Sequence, residues 1–269
     1  MGGEIVRKVF IFLISILTVI GILENVMAGV VKWSQPPRMD QYGYDFSSET
    51  QVPSEVADDY LCESGLSVIG ITWWGSYWNA GNWYPFNNSN HWGDPANVPP
   101  GTVNGFVIRF YKDVPAGTGI PPWSHPGDLL YEETLDFSLV NETYYGQIDH
   151  ADGKVGVGTD IIETVFQYHA TLPSPFDQQQ AGNIYWLSIQ AIDDGGKPIQ
   201  WGWHEAENLW HDNAVQWGTF FNGGVENWNL LTDKDMAFQI EVVPIPTTLL
   251  LLGTGLLGIL TLGRRSRQS

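Results

Sequence analysis

The stretch Met236-Ala237-Phe238-Gln239-Ile240-Glu241-Val242 decides the fold class. Met236, Phe238, Ile240 and Val242 fall at every second position, with the polar Gln239 and Glu241 between the last three. A period of two gathers the apolar set on one face of a strand, where a helix would scatter it. Working outward, Phe106, Ile108 and Phe110 alternate in the same way around Arg109. Residues 68–74, 129–139, 161–172, 184–192, 200–204 and 215–221 are further strand candidates. Turn signals separate them, notably Asp152-Gly153, Asp194-Gly195-Gly196 and Asn222-Gly223-Gly224. Helical periodicity is almost absent between residues 29 and 243. Many short strands with frequent turns predict an all-β domain, an antiparallel β-sandwich or jelly roll. The longest irregular region, residues 79–101, is dense in Asn, Trp and Pro.

The two ends obey a different logic. Arg7 and Lys8 precede an apolar run from Val9 to Leu23, and Val26-Met27-Ala28 follows. This pattern predicts a signal peptide over residues 1–28, cleaved after Ala28 on export by the Sec machinery. At the other end, residues 247–263 are nearly all apolar and stop at Arg264, Arg265 and Arg267. As a helix this segment rises about 25 Å, enough for a thin bilayer, and the arginines place its end in the cytoplasm. Gly253, Gly255 and Gly258 spell the dinucleotide-binding pattern G-x-G-x-x-G. That fingerprint needs a strand before it, and a second strand with an acidic ribose ligand after it. The eleven residues beyond Gly258 include three arginines, so the glycines are read as small residues of a membrane helix.

Val243-Pro244-Ile245-Pro246, the apolar segment and the terminal arginines together resemble the PEP-CTERM sorting signal of Gram-negative bacteria. Ile245 stands where that signal usually carries Glu. The resemblance, over residues 243–267, implies a tether in the inner membrane and processing by an exosortase-type enzyme. It further implies a final place at the cell surface or in the extracellular matrix, in company with polysaccharide. Pro244 and Pro246 cannot donate ladder hydrogen bonds, so they end the last strand and leave extended backbone for such an enzyme to grip. The expected organisation is a signal peptide (1–28), an ectodomain (29–243) and a sorting signal (244–269). Within the ectodomain, Lys32-Trp33-Ser34-Gln35-Pro36-Pro37, Ala57-Asp58-Asp59-Tyr60, Trp73-Trp74-Gly75-Ser76, Trp201-Gly202-Trp203 and Asp212-Asn213-Ala214-Val215 resemble an uncharacterised bacterial extracellular module. That resemblance covers most of residues 31–243 and implies no known activity.

The chain has 12 basic and 30 acidic residues. Without the two end segments, 7 basic and 28 acidic residues remain, a net charge of −21. Such a surface repels phosphate backbones and excludes nucleic acid as a partner. The single cysteine, Cys62, forms no intramolecular disulfide and reads as a small buried apolar residue.

Candidate sites are few. Among 13 tryptophans, Trp73 and Trp74 read as core. Trp78, Trp83 and Trp92 are open to two readings: pins for an irregular loop, or a platform for sugar rings flanked by Asn79, Asn82, Asn87, Asn88, Asn90 and Asp94. His204 and His211 lie seven residues apart, not the four of H-E-x-x-H, and sequence marks no third ligand. The segment therefore reads as a polar loop, and no metal site is assigned. Asp193-Asp194-Gly195 and Asp149-His150-Ala151-Asp152-Gly153 offer oxygens for a structural Ca²⁺, without the EF-hand pattern. No cofactor is otherwise expected. No G-x-S-x-G elbow appears, and the carboxylates are too numerous to mark a catalytic pair, so no catalytic residue is assigned. The expected function is a structural or interaction role outside the inner membrane. A carbohydrate-binding module is the first alternative. A secreted hydrolase is the second, and would need a cleft with two facing carboxylates.

Overall fold

The computed structural model describes residues 29–50, 54–77, 91–92, 103–154, 162–177, 179–192, 201–218 and 227–243. Ala28, Trp78, Trp83, Pro244, Ile245, Pro246, segment 247–263, Arg264, Arg265 and Arg267 lie outside those residues, as does Asp193-Asp194-Gly195; Trp92 is described in its backbone alone. Among the described residues no helix is long and apolar enough to cross a membrane. Residues Val31–Val242 form one compact unit.

The strands, in chain order, are β1 (Val30–Gln35), β2 (Asp45–Ser47), β3 (Ser54–Leu61), β4 (Val68–Tyr77), β5 (His91–Trp92), β6 (Gly105–Val114), β7 (His125–Asp136), β8 (Val140–Asp149), β9 (Ile162–Phe176), β10 (Ile184–Ile192), β11 (Trp201–His204), β12 (Val215–Gly218), β13 (Trp228–Leu230) and β14 (Phe238–Val242). They build two sheets. One has the order β13-β12-β3-β10-β6-β7. The other is organised around β4. One edge of β4 pairs with β9, which carries β8 and the short parallel β5. Its other edge is shared: β14 takes Val68–Trp73 and β11 takes Gly75–Tyr77. β2 then pairs with β11, and β1 with β14.

The alternation that predicts strand 236–242 also sets its face, since Met236, Phe238, Ile240 and Val242 are all buried. They meet Phe106, Ile108 and Phe110 of β6 and Leu187 and Ile189 of β10 in one core between the sheets. Trp73 anchors that core: its ring lies edge-on to Phe106 at 5.0 Å and stacks on Tyr168 at 5.5 Å. Trp74, the next residue, points to the opposite face and packs with Ile148, Val165 and Ala237, with Met39 against them.

Several details depart from the sequence reading. β7 stops at Asp136 rather than continuing to 139, because the Asp136 carboxylate accepts from the Ser138 N–H at 2.9 Å and turns Phe137–Leu139 into a 3₁₀ turn. β3 carries no predictive alternation: Asp58 and Asp59 sit side by side in it, and six of its eight residues are buried. β8 is an exposed strand whose outer residues are polar or tyrosine, so it lacks an apolar period. β5 falls inside the region read as irregular.

Candidate functional site

β11 reads Trp201-Gly202-Trp203-His204, and its alternation divides the labour. Trp201 and Trp203 face the core, fully buried, with their indole N–H groups donating to the Tyr168 hydroxyl at 3.3 Å and the Ala237 carbonyl at 2.9 Å. Gly202 and His204 face the other side of the sheet. A Cβ on Gly202 would lie 2.5 Å from the Cβ of Asp45, so glycine lets β2 approach closely. In the β11–β2 register His204 lies directly across from Asp45.

This juxtaposition builds a network of four ionisable side chains. His204 Nδ1 lies 3.0 Å from Asp45 Oδ1 and 3.3 Å from Glu163 Oε1, while its Nε2–H donates to the Arg38 carbonyl at 2.8 Å. His150 Nε2 lies 2.7 Å from Glu163 Oε2, and its Nδ1–H donates to the Gln41 carbonyl at 3.2 Å. The Ser76 hydroxyl donates to Asp45 Oδ2. Segment 37–44, which supplies both carbonyls, covers the network; Tyr44 stacks on His150 at 5.3 Å, with the Lys234 ammonium over the Tyr44 ring. The Asp45 and Glu163 side chains are only 1% and 2% exposed.

Burial first, then the Glu163 charge, push Asp45 up to about 8. Burial alone would raise Glu163 too, but hydrogen bonds from Asp45, His150 and His204 outweigh it and hold that carboxyl well below its usual range. Burial would strip the proton from His204, yet Asp45 and then Glu163 keep it well above the imidazole range. Asp45, Glu163 and His204 offer atoms within 4.8 Å of one another, the spacing of a three-ligand metal centre. Two imidazoles already match two carboxylates here, so the cluster compensates its own charge by holding protons.

A second cluster gathers where β12 begins. β12 pairs with β3 from Ser54 to Ala57, so on that side the next residues, Asp58 and Asp59, meet the segment leading into β12, while β10 pairs with them on the other. Asp58 takes the core side, accepting from the Met236 N–H at 2.7 Å and Gln35 Nε2 at 3.3 Å. Asp59 Oδ2 lies 3.0 Å from His211 Nδ1, which also lies 2.8 Å from Asp212 Oδ2. Asp235 accepts from the Trp210 N–H and from Gln35 Nε2 at 3.4 Å. Burial first, then the charge of neighbouring carboxylates, raise all three buried carboxyls: Asp58 well above its ordinary value, Asp59 to about 9 and Asp235 to about 7.

The two histidines read together as one polar loop thus go separate ways: His204 is fully buried in β11 and joins the first cluster, His211 the second. Asp149 and Asp152, read as Ca²⁺ oxygens, cap the backbone N–H groups of Ala151 and Lys154 at 2.8 and 2.9 Å. Trp73 and Trp74 are buried structural residues, as their strand positions suggest. Cys62 is buried as well.

The sequence model of one family, described as Domain of unknown function (DUF7901), matches residues 31–241. The chain belongs to this family. No curated protein and no solved structure gives a match. The family segment ends within one residue of the compact unit Val31–Val242, and it contains both ionisable clusters. The short motifs of residues 32–37, 57–60, 73–76 and 212–215 contribute directly to them: Gln35, Asp58, Asp59, Ser76 and Asp212 are all members.

Proposed function

We propose that this chain is an exported β-sandwich module with a structural or interaction role outside the inner membrane, tethered and sorted through its C-terminal segment by an exosortase-type enzyme. One observation carries the reading. The folded unit and the family segment both stop at β14, so the signal-like and tail-like ends are additions to a module already complete in its core. β14 closes at Val242, and Val243, the first residue of the Val-Pro-Ile-Pro motif, is exposed. A secreted hydrolase is disfavoured by burial. Asp45 and Glu163 do face one another, but sealed under segment 37–44 they meet no polymer. Replacing residues 247–263 by a polar linker is expected to release soluble ectodomain on cell fractionation; continued recovery with membranes would overturn the tether.

A carbohydrate-binding role is the second reading, and exposed tyrosines on the described surface support it. Tyr42, Tyr44, Tyr144 and Tyr145 are exposed, with Tyr44 stacked on His150 and Tyr145 edge-on to Trp74 at 5.6 Å. Aromatic faces of this kind pack against sugar C–H groups. Polysaccharide quenching of tryptophan fluorescence that disappears in a Tyr44→Ala/Tyr145→Ala variant supports it, and flat titrations across a broad glycan panel dismiss it.

A further inference from the structure

The two clusters differ in charge balance. In the first, two imidazoles face two carboxylates. In the second, one imidazole, that of His211, faces both Asp59 and Asp212, while Asp58 and a single oxygen of Asp235 accept from amide donors. Lys234, the sequence neighbour of Asp235, is engaged by Glu205 at 2.7 Å. Carboxylates in such a setting require a cation or a proton, because desolvated negative charge is otherwise prohibitive.

A second observation is independent of that count. Asp59 Oδ1 is buried and has no hydrogen-bond partner among the described residues, and the Asp59 side chain is 0% exposed. The other oxygen of the same carboxyl is the one that meets His211, so the orphan oxygen belongs to the same cluster. Asp235 Oδ1 is likewise buried without a partner. Native interiors rarely leave such acceptors unmatched, and an unmatched one marks a group awaiting an ion or a water.

Ligand atoms of Asp59, His211 and Asp212 lie within 4.8 Å of one another, a spacing at which one ion can touch all three. We propose that Asp59, His211 and Asp212 bind a divalent cation at the edge of β3, with Asp235 beside them. One imidazole among carboxylates selects an ion that accepts nitrogen as well as oxygen, such as Zn²⁺ or Mn²⁺, over the all-oxygen preference of Ca²⁺. The site has a deep wall and an open rim: Asp59 is sealed, whereas the His211 and Asp212 side chains are 45% and 30% exposed. An ion enters from solvent without unfolding the sheet. Once seated, it joins β3 to the segment that opens β12.

The test uses the full chain in mild detergent, stripped with EDTA and then titrated with ZnCl₂, MnCl₂ or CaCl₂. The expected result is one Zn²⁺ or Mn²⁺ bound per chain by calorimetry, with a rise in Tm. His211→Ala and Asp212→Asn alter only the exposed rim, so they keep the fold; each should weaken binding at least tenfold. Asp45→Asn, in the other cluster, should leave the affinity unchanged. Three results would overturn the proposal: no binding of either transition ion, a response to Ca²⁺ alone, or undiminished affinity in the His211→Ala/Asp212→Asn double variant.

Discussion

Asp45→Asn isolates the proton held in the first cluster. With its pKa at about 8 against an ordinary 3.8, folded Asp45 keeps a proton that the unfolded chain has released across that whole interval. Where the folded state binds the extra proton, stability falls as pH rises, by about 1.4 kcal/mol per pH unit for one full proton. His204 acts in the same direction. Its raised folded value gives stabilisation that is complete below 6.5 and is lost as pH climbs through that folded value. Glu163 has the opposite sign, but its depressed carboxyl matters only below its ordinary 4.5. Asparagine keeps the shape of a protonated carboxyl and cannot titrate. The wild-type curve should therefore fall more steeply than the variant's between about pH 5 and 7, the gap changing by up to about 3 kcal/mol.

Urea denaturation in EDTA at fixed ionic strength, at half-unit pH steps, measures both curves. The comparison concerns slopes, so a constant destabilisation of the variant does not obscure it. Parallel curves from pH 5 to 8 would refute the reasoning. They would mean that Asp45 is already ionised against His204, and that burial and Glu163 do not set its proton affinity.

Three further outcomes concern packing. Gly75→Ala places a Cβ 2.5 Å from the Gly202 carbonyl and 2.6 Å from the Trp201 ring, and should destabilise by about 3 kcal/mol in urea, whereas Gly70→Ala meets first a movable Glu241 side chain at 3.0 Å and should be milder. Trp73→Ala should remove about 3–5 kcal/mol and much of the near-ultraviolet dichroism; Trp73→Phe, which also deletes a buried N–H with no partner among the described residues, should be far gentler. The Cys62 thiol, buried and approached by the Gly65 N–H at 3.3 Å, should resist a thiol reagent in the folded state and react completely in urea.

How much of this was legible depended on whether the information was local. Residues 184–192 appear as a strand in sequence and form β10 over the same span, because one apolar run and its flanking turns specify it. β14 is legible from its own alternation, an equally local signal. β3 is not: adjacent aspartates contradict both strand propensity and burial, and only the groups around them resolve the conflict. Those groups are remote in the chain. His204 and Asp45 are 159 residues apart, and His211 and Asp59 are 152 apart. The usable signals were a glycine between two tryptophans ahead of His204 and a doubled aspartate inside an apolar context. Each marks a crowded or charged interior position without naming its partner.

The divergence of His204 and His211 explains how one short segment supplies two unlike sites. β11 ends at His204, held by its ladder with β2, so that imidazole is fixed inside the sheet opposite Asp45. The backbone then leaves the sheet, and at His211 it takes a positive φ of 54° before Val215 starts β12 on β3. That path carries the second imidazole to the edge of β3, where Asp59 already stands. Glu205 lies on the route between them, pairing with Arg38, whose carbonyl accepts from His204, and with Lys234, the neighbour of Asp235. The single arginine and lysine near both clusters are thereby engaged by a third carboxylate. In a module with 7 basic against 28 acidic residues, the Asp59 carboxylate pairs with His211 and with no lysine or arginine among the described residues. The first cluster offsets its charge with protons because it has as many imidazoles as carboxylates. The second has one imidazole for its carboxylates and a buried Asp59 oxygen without a partner, and there an ion from outside the chain finds its ligands.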